Sequence, residues 1–598
     1  MEAIQAIPAV EASTGSKTMA DLALLAARKH SGRTAVRHKQ GDEWVDISFD
    51  ELGDAVREIA LGLMSLGIAK GDKVSILSNT RPEWTFACFG ILSAGGVSVS
   101  IYQTNSPEEV QYVAHHSEAK AIFVEDMEQL EKVREERENL PALEHIVIFE
   151  PSGDSSEDSI SLAELRERGR EGQEPDLDER IASVTGDDYS VFIYTSGTTG
   201  PPKGVMLTHD NYRQVTNMSQ QQGIFDADDL VYLFLPLAHA FALLVQFGAI
   251  DIGTPIAFWE KDPQKIIPNL MEVKPTYFPS VPRIFEKIYT LATSNAPDPA
   301  LLDKAVEIGV KVRALQERGE AVPDELQAGF DRAERELYQN VRNIFGGRIR
   351  QCVTGAAPIA KEILEFFFAC GVPIMEGYGM TETSTVATVN TLESHRFGSV
   401  GKPLPGVEIK IAADGEILLR GANMMNGYFK NEEATRETLE PDGWLHTGDL
   451  GYVDEDGFLF INGRKKDIII TAGGKNITPA NLENGLKQNR WISQAVVIGD
   501  RRPYLVALIT LDPEELPKFA EEHNLLPEDV VDSDEMRAEI QQAVDDVNVH
   551  YGRVEQIKKF KILPEDLSQE QGTLTPTLKV KRNVVNDMFC GEIEALYG

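Results

Sequence analysis

A chain of 598 residues is longer than a single hydrophobic core usually serves, so at least two domains are expected. Its 58 basic against 95 acidic side chains leave a formal net charge of −37, which argues against a general affinity for nucleic acid or anionic membranes. Cys88, Cys352, Cys370 and Cys590 form no Cys-x-x-Cys pair, so neither a zinc site nor a disulfide framework is indicated. Buried thiols in a reducing compartment are expected instead. Residues 1–20 lack the basic start and apolar centre of a signal peptide, and the protein is read as cytoplasmic.

Ser48 and Glu51 form a capping box, behind which Leu52, Val56, Ile59, Ala60 and Leu63 repeat at helical spacing. Past the Gly71-Asp72 turn, strand-like runs at 74–77, 97–102 and 121–124 alternate with helices at 84–94 and behind Ser106-Pro107-x-Glu109. Such alternation implies a parallel sheet with helices on both faces. Residues 128–188 are rich in charge and read as a solvated connection without chemistry, leading into an apolar strand at 191–194.

That strand delivers Thr195-Ser196-Gly197-Thr198-Thr199-Gly200-Pro201-Pro202-Lys203-Gly204, after which residues 205–207 resume a strand. Glycines let backbone amides approach phosphate oxygens, hydroxyls donate further hydrogen bonds, and Lys203 supplies a point charge. The order Pro-Lys-Gly is not that of a Walker loop, which needs Gly-Lys followed by Ser or Thr. Residues 232–250 are apolar apart from His239 and Gln246 and long enough to cross a bilayer. Pro236 within the run and Asp251 directly after it favour a buried helix lining an apolar pocket.

Val281-Pro282-Arg283-Ile284-Phe285-Glu286-Lys287 begins an amphipathic helix, and residues 301–345 read as a charged helical hairpin on the surface. A strand from Gln351 ends in Gly355-Ala356-Ala357-Pro358, small residues that let a flat ring approach the backbone. A second strong motif is Glu376-Gly377-Tyr378-Gly379-Met380-Thr381-Glu382. Tyr378 offers a ring to a base, Thr381 a hydroxyl to a phosphate and Glu382 an oxygen ligand to magnesium. Its spacing is not the dinucleotide fingerprint, so a nicotinamide cofactor is not supported.

Short strands with Gly/Pro turns between 398 and 420 suggest a small barrel-like sheet, closed by Gly443 to Asp449. Asp454-Glu455-Asp456-Gly457 lacks the downstream ligands of a calcium loop and reads as a hairpin turn. A charged knot, Gly463-Arg464-Lys465-Lys466-Asp467, then precedes Gly473-Gly474-Lys475 and a helix with Thr478 as N-cap and Pro479 in its first turn. Strands and helices from 495 to 551 make an α+β unit, followed by the basic segment Leu574-Thr575-Pro576-Thr577-Leu578-Lys579-Val580-Lys581-Arg582.

In this order the motifs resemble the adenylate-forming superfamily of acyl-CoA synthetases, peptide-synthetase adenylation domains and luciferases. Ser100-Ile101-Tyr102-Gln103-Thr104-Asn105, Leu235-Pro236-Leu237-Ala238-His239, the 281–287 segment and Thr471-Ala472-Gly473-Gly474-Lys475-Asn476 look most like bacterial long-chain fatty acid–CoA ligases. The resemblance implies an α/β fold: a large domain, residues 1–465, of two α/β lobes plus a small barrel-like sheet, and a smaller mobile α+β domain, residues 466–598. It implies ATP and CoA as co-substrates, magnesium, and a fatty acid converted to acyl-adenylate and then to the CoA thioester.

By the same resemblance Lys203, Thr381, Glu382 and Lys579 are catalytic, with Lys581 an alternative to Lys579. Thr195 to Gly200, Gly355 to Ala357, Tyr378, Gly379, Asp449 and Arg464 bind the nucleotide, and Glu382 with Thr195 holds the metal. His239 stands beside the acid, Gly473, Gly474 and Lys475 contact CoA, and Lys466 is the hinge. Delivery of the adenylate to a carrier protein, or a non-catalytic sensor of acyl groups or nucleotides, are the alternative functions. Acyl chain length, oligomeric state and peripheral membrane contact stay open.

Overall fold

The computed structural model describes residues 6–151, 158–195, 201–293, 299–472, 475–575 and 579–598. Alternating apolar strands and helices build two large sheets. The first has seven strands, with Lys73–Leu77, Val97–Ile101, Ala119–Val124, His145–Ile148, Ile160–Ser161 and Tyr189–Thr195 parallel and Lys203–Thr208 antiparallel at one edge. The second has nine strands around a parallel centre of Thr34–Gln40, Ile256–Phe258, Val231–Leu233, Tyr277–Ser280, Gln351–Thr354 and Ile374–Tyr378. Parallel strands in such sheets are buried on both faces, and 97–101 is buried at every position even though Ser98 and Ser100 interrupt its apolar residues.

The Ser48–Glu51 and Ser106–Glu109 capping boxes both form. Residues 232–250 are not one helix. They divide into the strand Val231–Leu233, a turn through Pro236, and the helix Ala240–Ile252. An unbroken apolar run does not distinguish a buried strand from a buried helix, and here the proline makes the division. The 128–188 region is likewise more ordered than its charge suggests. Helices Leu162–Arg170 and Glu174–Ser183 pack onto the first lobe, the former behind a Ser161–Glu164 capping box. Cys88, Cys352 and Cys370 are buried, but Cys590 is exposed, contrary to the expectation for all four.

A four-stranded antiparallel sheet follows, Glu408–Ile411, Glu416–Arg420, Leu445–Val453 and Leu459–Arg464 in sequential order. The Asp454 turn is a hairpin, its carboxylate accepting from the N–H groups of Asp456 and Phe458. Beyond it stands a three-stranded sheet, Ile492–Ile498, Leu505–Leu511 and Ile557–Ile562. Its period-two alternation faces Ala495, Val497, Ala507 and Ile509 toward helices Pro479–Leu486 and Asp534–Asn548. Val496 and Leu508 face the helices Arg582–Met588 and Cys590–Tyr597 instead. These two clusters draw on residues from 469 onward, whereas the clusters of the large sheets draw on residues up to 459. Among the described residues no helix is long and apolar enough to cross a membrane.

The helices His209–Gln221 and Ala240–Ile252 are buried over nearly their whole length between the large sheets. Asp251, at the end of the second, is fully buried and pairs with Arg213 of the first at 2.7 Å, with Gln220 donating at 2.9 Å and Thr14 adding its hydroxyl. Burial opposes the carboxylate, but Arg213 outweighs it and holds Asp251 below the usual carboxylate range. The stabilisation is therefore present above that range and lost as pH falls through the lowered value. Arg213→Met strands the buried charge and is expected to cost about 3–5 kcal/mol of stability, read by urea denaturation.

Candidate active site

Loops that follow the carboxyl ends of strands in both large sheets converge on one cavity of about 2390 Å³, where open α/β sheets commonly bind ligands. It is larger than a typical small-molecule pocket because a nucleotide-sized cleft, an apolar arm and the gap to the small domain run together.

Thr195 and Lys203 face each other in register at the connected end of the Tyr189–Thr195 and Lys203–Thr208 strand pair. Ser196, Gly197, Thr198, Thr199 and Gly200 lie outside the described residues. Lys203 places its ammonium 4.9 Å from the ring centre of Tyr428, whose hydroxyl donates to Glu382 Oε1 at 2.7 Å. Tyr428 is set there by the backbone: Met206 N–H donates to Gly427 O at 3.0 Å and Phe429 N–H to Gly204 O at 2.8 Å. Tyr428 is absent from the sequence reading, and its signal was an aromatic pair directly after Gly427. Among the described residues no group of three or more His, Cys, Asp or Glu side chains is arranged to hold a metal ion.

A second knot gathers Tyr378, Asp449 and Arg464. Asp449 and Arg464 are cross-strand partners in the four-stranded sheet, and Arg464 Nε lies 3.0 Å from Asp449 Oδ1. Tyr378, from the nine-stranded sheet, donates to Asp449 Oδ2 at 2.6 Å. Burial and the adjacent carboxylate push the Tyr378 hydroxyl well above the usual phenol range, so it stays protonated.

The backbone is strained around this knot. Ala356 has φ 69°, Ser384 φ 52° and Thr385 φ 109°, and the last is unusual for a β-branched residue. Gly379 is required by close approach, since a Cβ there would lie 2.1 Å from the Thr385 carbonyl oxygen. Thr385 in turn donates its hydroxyl to Ala240 O at 2.7 Å, tying the buried Thr381–Thr383 turn to the start of the Ala240–Ile252 helix. Gly355, Ala356 and Ala357 line the same cavity.

His239 is the N-cap of the Ala240–Ile252 helix, its Nδ1 accepting the Phe241 N–H at 3.3 Å. Burial, with Lys579 nearby, lowers its pKa to about 4, so the ring is neutral at physiological pH and its proton resides on Nε2. Lys579 is exposed toward the cavity but ringed by protein. That crowding and Arg464 pull its pKa below the ordinary lysine range, while Asp449 and Glu382 pull the other way. The hairpin carrying it closes with Thr575 N–H donating to Lys579 O at 2.8 Å and Lys579 N–H to Thr575 Oγ1 at 3.0 Å. Pro576, Thr577 and Leu578 lie outside the described residues. Lys581 and Lys466 also line the cavity. Lys475 pairs with Glu555 at 3.2 Å within the small domain, and Gly473 and Gly474 lie outside the described residues.

The apolar arm runs between the Ala240–Ile252 helix and the nine-stranded sheet, past Leu244, Val245 and Val353. It ends at Ile224, Phe225 and Tyr277, roughly 10 Å below the strand ends, since Tyr277 pairs with Gln351, three residues before Thr354. Phe225 is backed by Gly248, where a Cβ would lie 2.6 Å from its ring. Glu376 is buried in the cavity wall, in register with Thr354. Burial pushes its pKa up to about 8 against one stabilising backbone N–H from Ile359. It is therefore a neutral carboxylic acid at physiological pH, a feature that the motif alone did not disclose.

The family model for AMP-binding enzymes matches residues 25–429, and that for the AMP-binding enzyme C-terminal domain matches residues 466–598. The chain is 40% identical over 563 residues to the long-chain-fatty-acid–CoA ligase FadD15 of Mycobacterium bovis, covering 93% of this chain and 92% of that one. It is 34% identical over 609 residues to the long-chain-fatty-acid–CoA ligase ACSBG2 of Xenopus laevis, covering 95% and 82% respectively. The crystal structure of the anthranilate CoA ligase AuaEII in complex with anthranoyl-AMP superposes with a TM-score of 0.72 over 97% of this chain and 98% of that one. At 22% identity that likeness speaks to the fold alone.

Glu376 keeps in the folded state a proton that the unfolded chain releases in the ordinary carboxylate range, so it lowers stability progressively from about pH 5 to about pH 8. Glu376→Gln is expected to raise Tm, with a larger gain at about pH 8 than at about pH 5. A gain that does not change with pH would contradict the neutral-acid assignment.

Proposed function

The chain belongs to the AMP-binding enzyme family, and on that premise we propose that it is an AMP-forming long-chain fatty acid–CoA ligase. One observation carries the reading: Lys203, Glu382, the Asp449–Arg464 pair and Lys579 surround a cleft that continues directly into an apolar arm. Residues 1–465 form the domain that binds ATP and the acid, and residues 466–598 the domain that carries the catalytic lysine.

A carboxylate is a poor electrophile and needs a good leaving group before a thiol can attack it. One carboxylate oxygen attacks the α-phosphorus of ATP and pyrophosphate departs, giving an acyl-adenylate. The CoA sulfur then adds to the acyl carbonyl and AMP leaves. Thr381 and Lys579 stabilise charge on the α-phosphoryl oxygens, and Lys203, with the Thr195 to Gly200 loop, grips the departing pyrophosphate. Asp449 takes the ribose hydroxyls, Arg464 the ribose and phosphate, and Gly355 to Ala357 with Tyr378 and Gly379 the adenine.

Glu382 and Thr195 fit magnesium, which commonly takes one or two protein carboxylates and fills its remaining positions with phosphate oxygens and water. Bound there, the ion would neutralise charge on the triphosphate. His239, neutral and with its proton on Nε2, offers the acid a hydrogen bond without holding it as an ion pair. The acyl tail fills the arm down to Phe225. Lys579 in the cleft and Lys475 outside it suit the first half-reaction, and rotation about Lys466 exchanges them so that Gly473, Gly474 and Lys475 meet CoA.

The test is release of AMP and pyrophosphate dependent on ATP, CoA and acids from acetate to palmitate; no release with any acid would end the reading. Lys579→Ala is expected to slow adenylation by about 10²–10³, roughly 3–4 kcal/mol, while thioester formation from supplied acyl-adenylate persists. Comparable loss in both half-reactions would remove Lys579 from this role. Phe225→Ala lengthens the arm and is expected to shift kcat/KM toward longer acids; an unchanged profile would place the end of the arm elsewhere.

A further inference from the structure

The segment Val281-Pro282-Arg283-Ile284-Phe285-Glu286-Lys287 takes no part in the chemistry above. It opens the helix Pro282–Thr293, whose Phe285 and Ile288 are fully buried. Phe285 packs edge-on to Phe278 and Phe367, which fixes the helix rigidly on the large domain. Arg283 and Lys287 stand one helical turn apart, and both reach across to the small domain. Arg283 Nη2 meets Asp512 Oδ2 at 2.6 Å, and Lys287 Nζ meets both oxygens of Glu514 at 2.8 Å.

The receiving carboxylates are equally well set. They lie just past the end of the Leu505–Leu511 strand, where Asp512 N–H donates to Trp491 O at 2.9 Å and Asp512 Oδ1 accepts the Glu514 N–H at 3.0 Å. The hydrophobic cores of the two domains do not merge across this joint. Lys579 belongs to the small domain, so its approach to Asp449, Glu382 and His239 depends on how that domain is seated. Charged contacts are well suited to a joint that must also open, because they are short-ranged in salt and lose little when their groups return to water.

We propose that Arg283 and Lys287 are positioning residues for adenylation: with Asp512 and Glu514 they form an ionic latch that holds Lys579 in the cleft and releases for thioester formation. The inference rests on the two-step reading given above. Two partly exposed ion pairs together bias an equilibrium by roughly tenfold, enough to favour one orientation without locking it.

The experiment compares two half-reactions in the full-length enzyme. ATP–pyrophosphate exchange with palmitate reports adenylation, and thioester formation from supplied palmitoyl-adenylate and CoA reports the second step. In the double variant Arg283→Glu/Lys287→Glu, exchange is expected to fall roughly tenfold or more while thioester formation is kept or accelerated. Adding Asp512→Lys and Glu514→Lys restores opposite charges and is expected to recover exchange, which a misfolded variant would not do. Equal loss of both half-reactions, unchanged exchange, or no recovery on charge reversal would overturn the latch alone. Absence of exchange in the wild-type enzyme with any acid would overturn the ligase reading and the latch together.

Discussion

Asp449 ties together three parts of the molecule. Its buried carboxylate accepts from Tyr378, at the end of a strand in the nine-stranded sheet, and from Arg464, its cross-strand neighbour in the four-stranded sheet. Two residues past Arg464 comes Lys466, where the match to the AMP-binding enzyme C-terminal domain begins. One carboxylate thus links the large sheet, the small sheet and the joint. A buried acid with both oxygens occupied holds its surroundings in one arrangement, because losing Tyr378 would leave a buried oxygen without its donor and losing Arg464 would leave the charge without its partner.

The electrostatics of the cavity contrast with those of the whole protein. The formal net charge is −37, and the proposed substrates, a nucleoside triphosphate, a fatty acid and CoA, are all anions. Attraction must therefore be local. Lys203, Arg464 and Lys579 supply it, and groups that would work against it are muted. Glu376 is kept neutral by burial, His239 is kept neutral rather than competing for the acid, and Glu382 is engaged by Tyr428. Behind these groups the Arg213–Asp251 pair anchors the buried helix that forms one wall of the apolar arm.

Among the described residues, three of the nine non-glycine positions at positive φ stand where function is proposed. Ala356, Ser384 and Thr385 adopt positive φ beside Gly379, which has no room for a side chain. Local sequence preferences would not place threonine at φ 109°, and the surrounding hydrogen bonds, including that from Thr385 to Ala240 O, overrule them.

The α/β class and the capping boxes were legible in the sequence, because glycine, proline, capping pairs and periodicity are local signals, whereas Asp449, Arg464 and Lys579 were singled out through resemblance to a family. Where local signals are degenerate the reading failed. The apolar run at 232–250 concealed a strand, a turn and a helix, and charge between 128 and 188 concealed helices that a Ser161–Glu164 box announced. Tyr428 between Lys203 and Glu382, the neutral state of Glu376 and the reach of Arg283 and Lys287 to Asp512 and Glu514 were settled only by tertiary structure. Each depends on residues distant in sequence becoming neighbours, and burial and Coulomb interaction act over a few ångströms of space, whatever the separation along the chain.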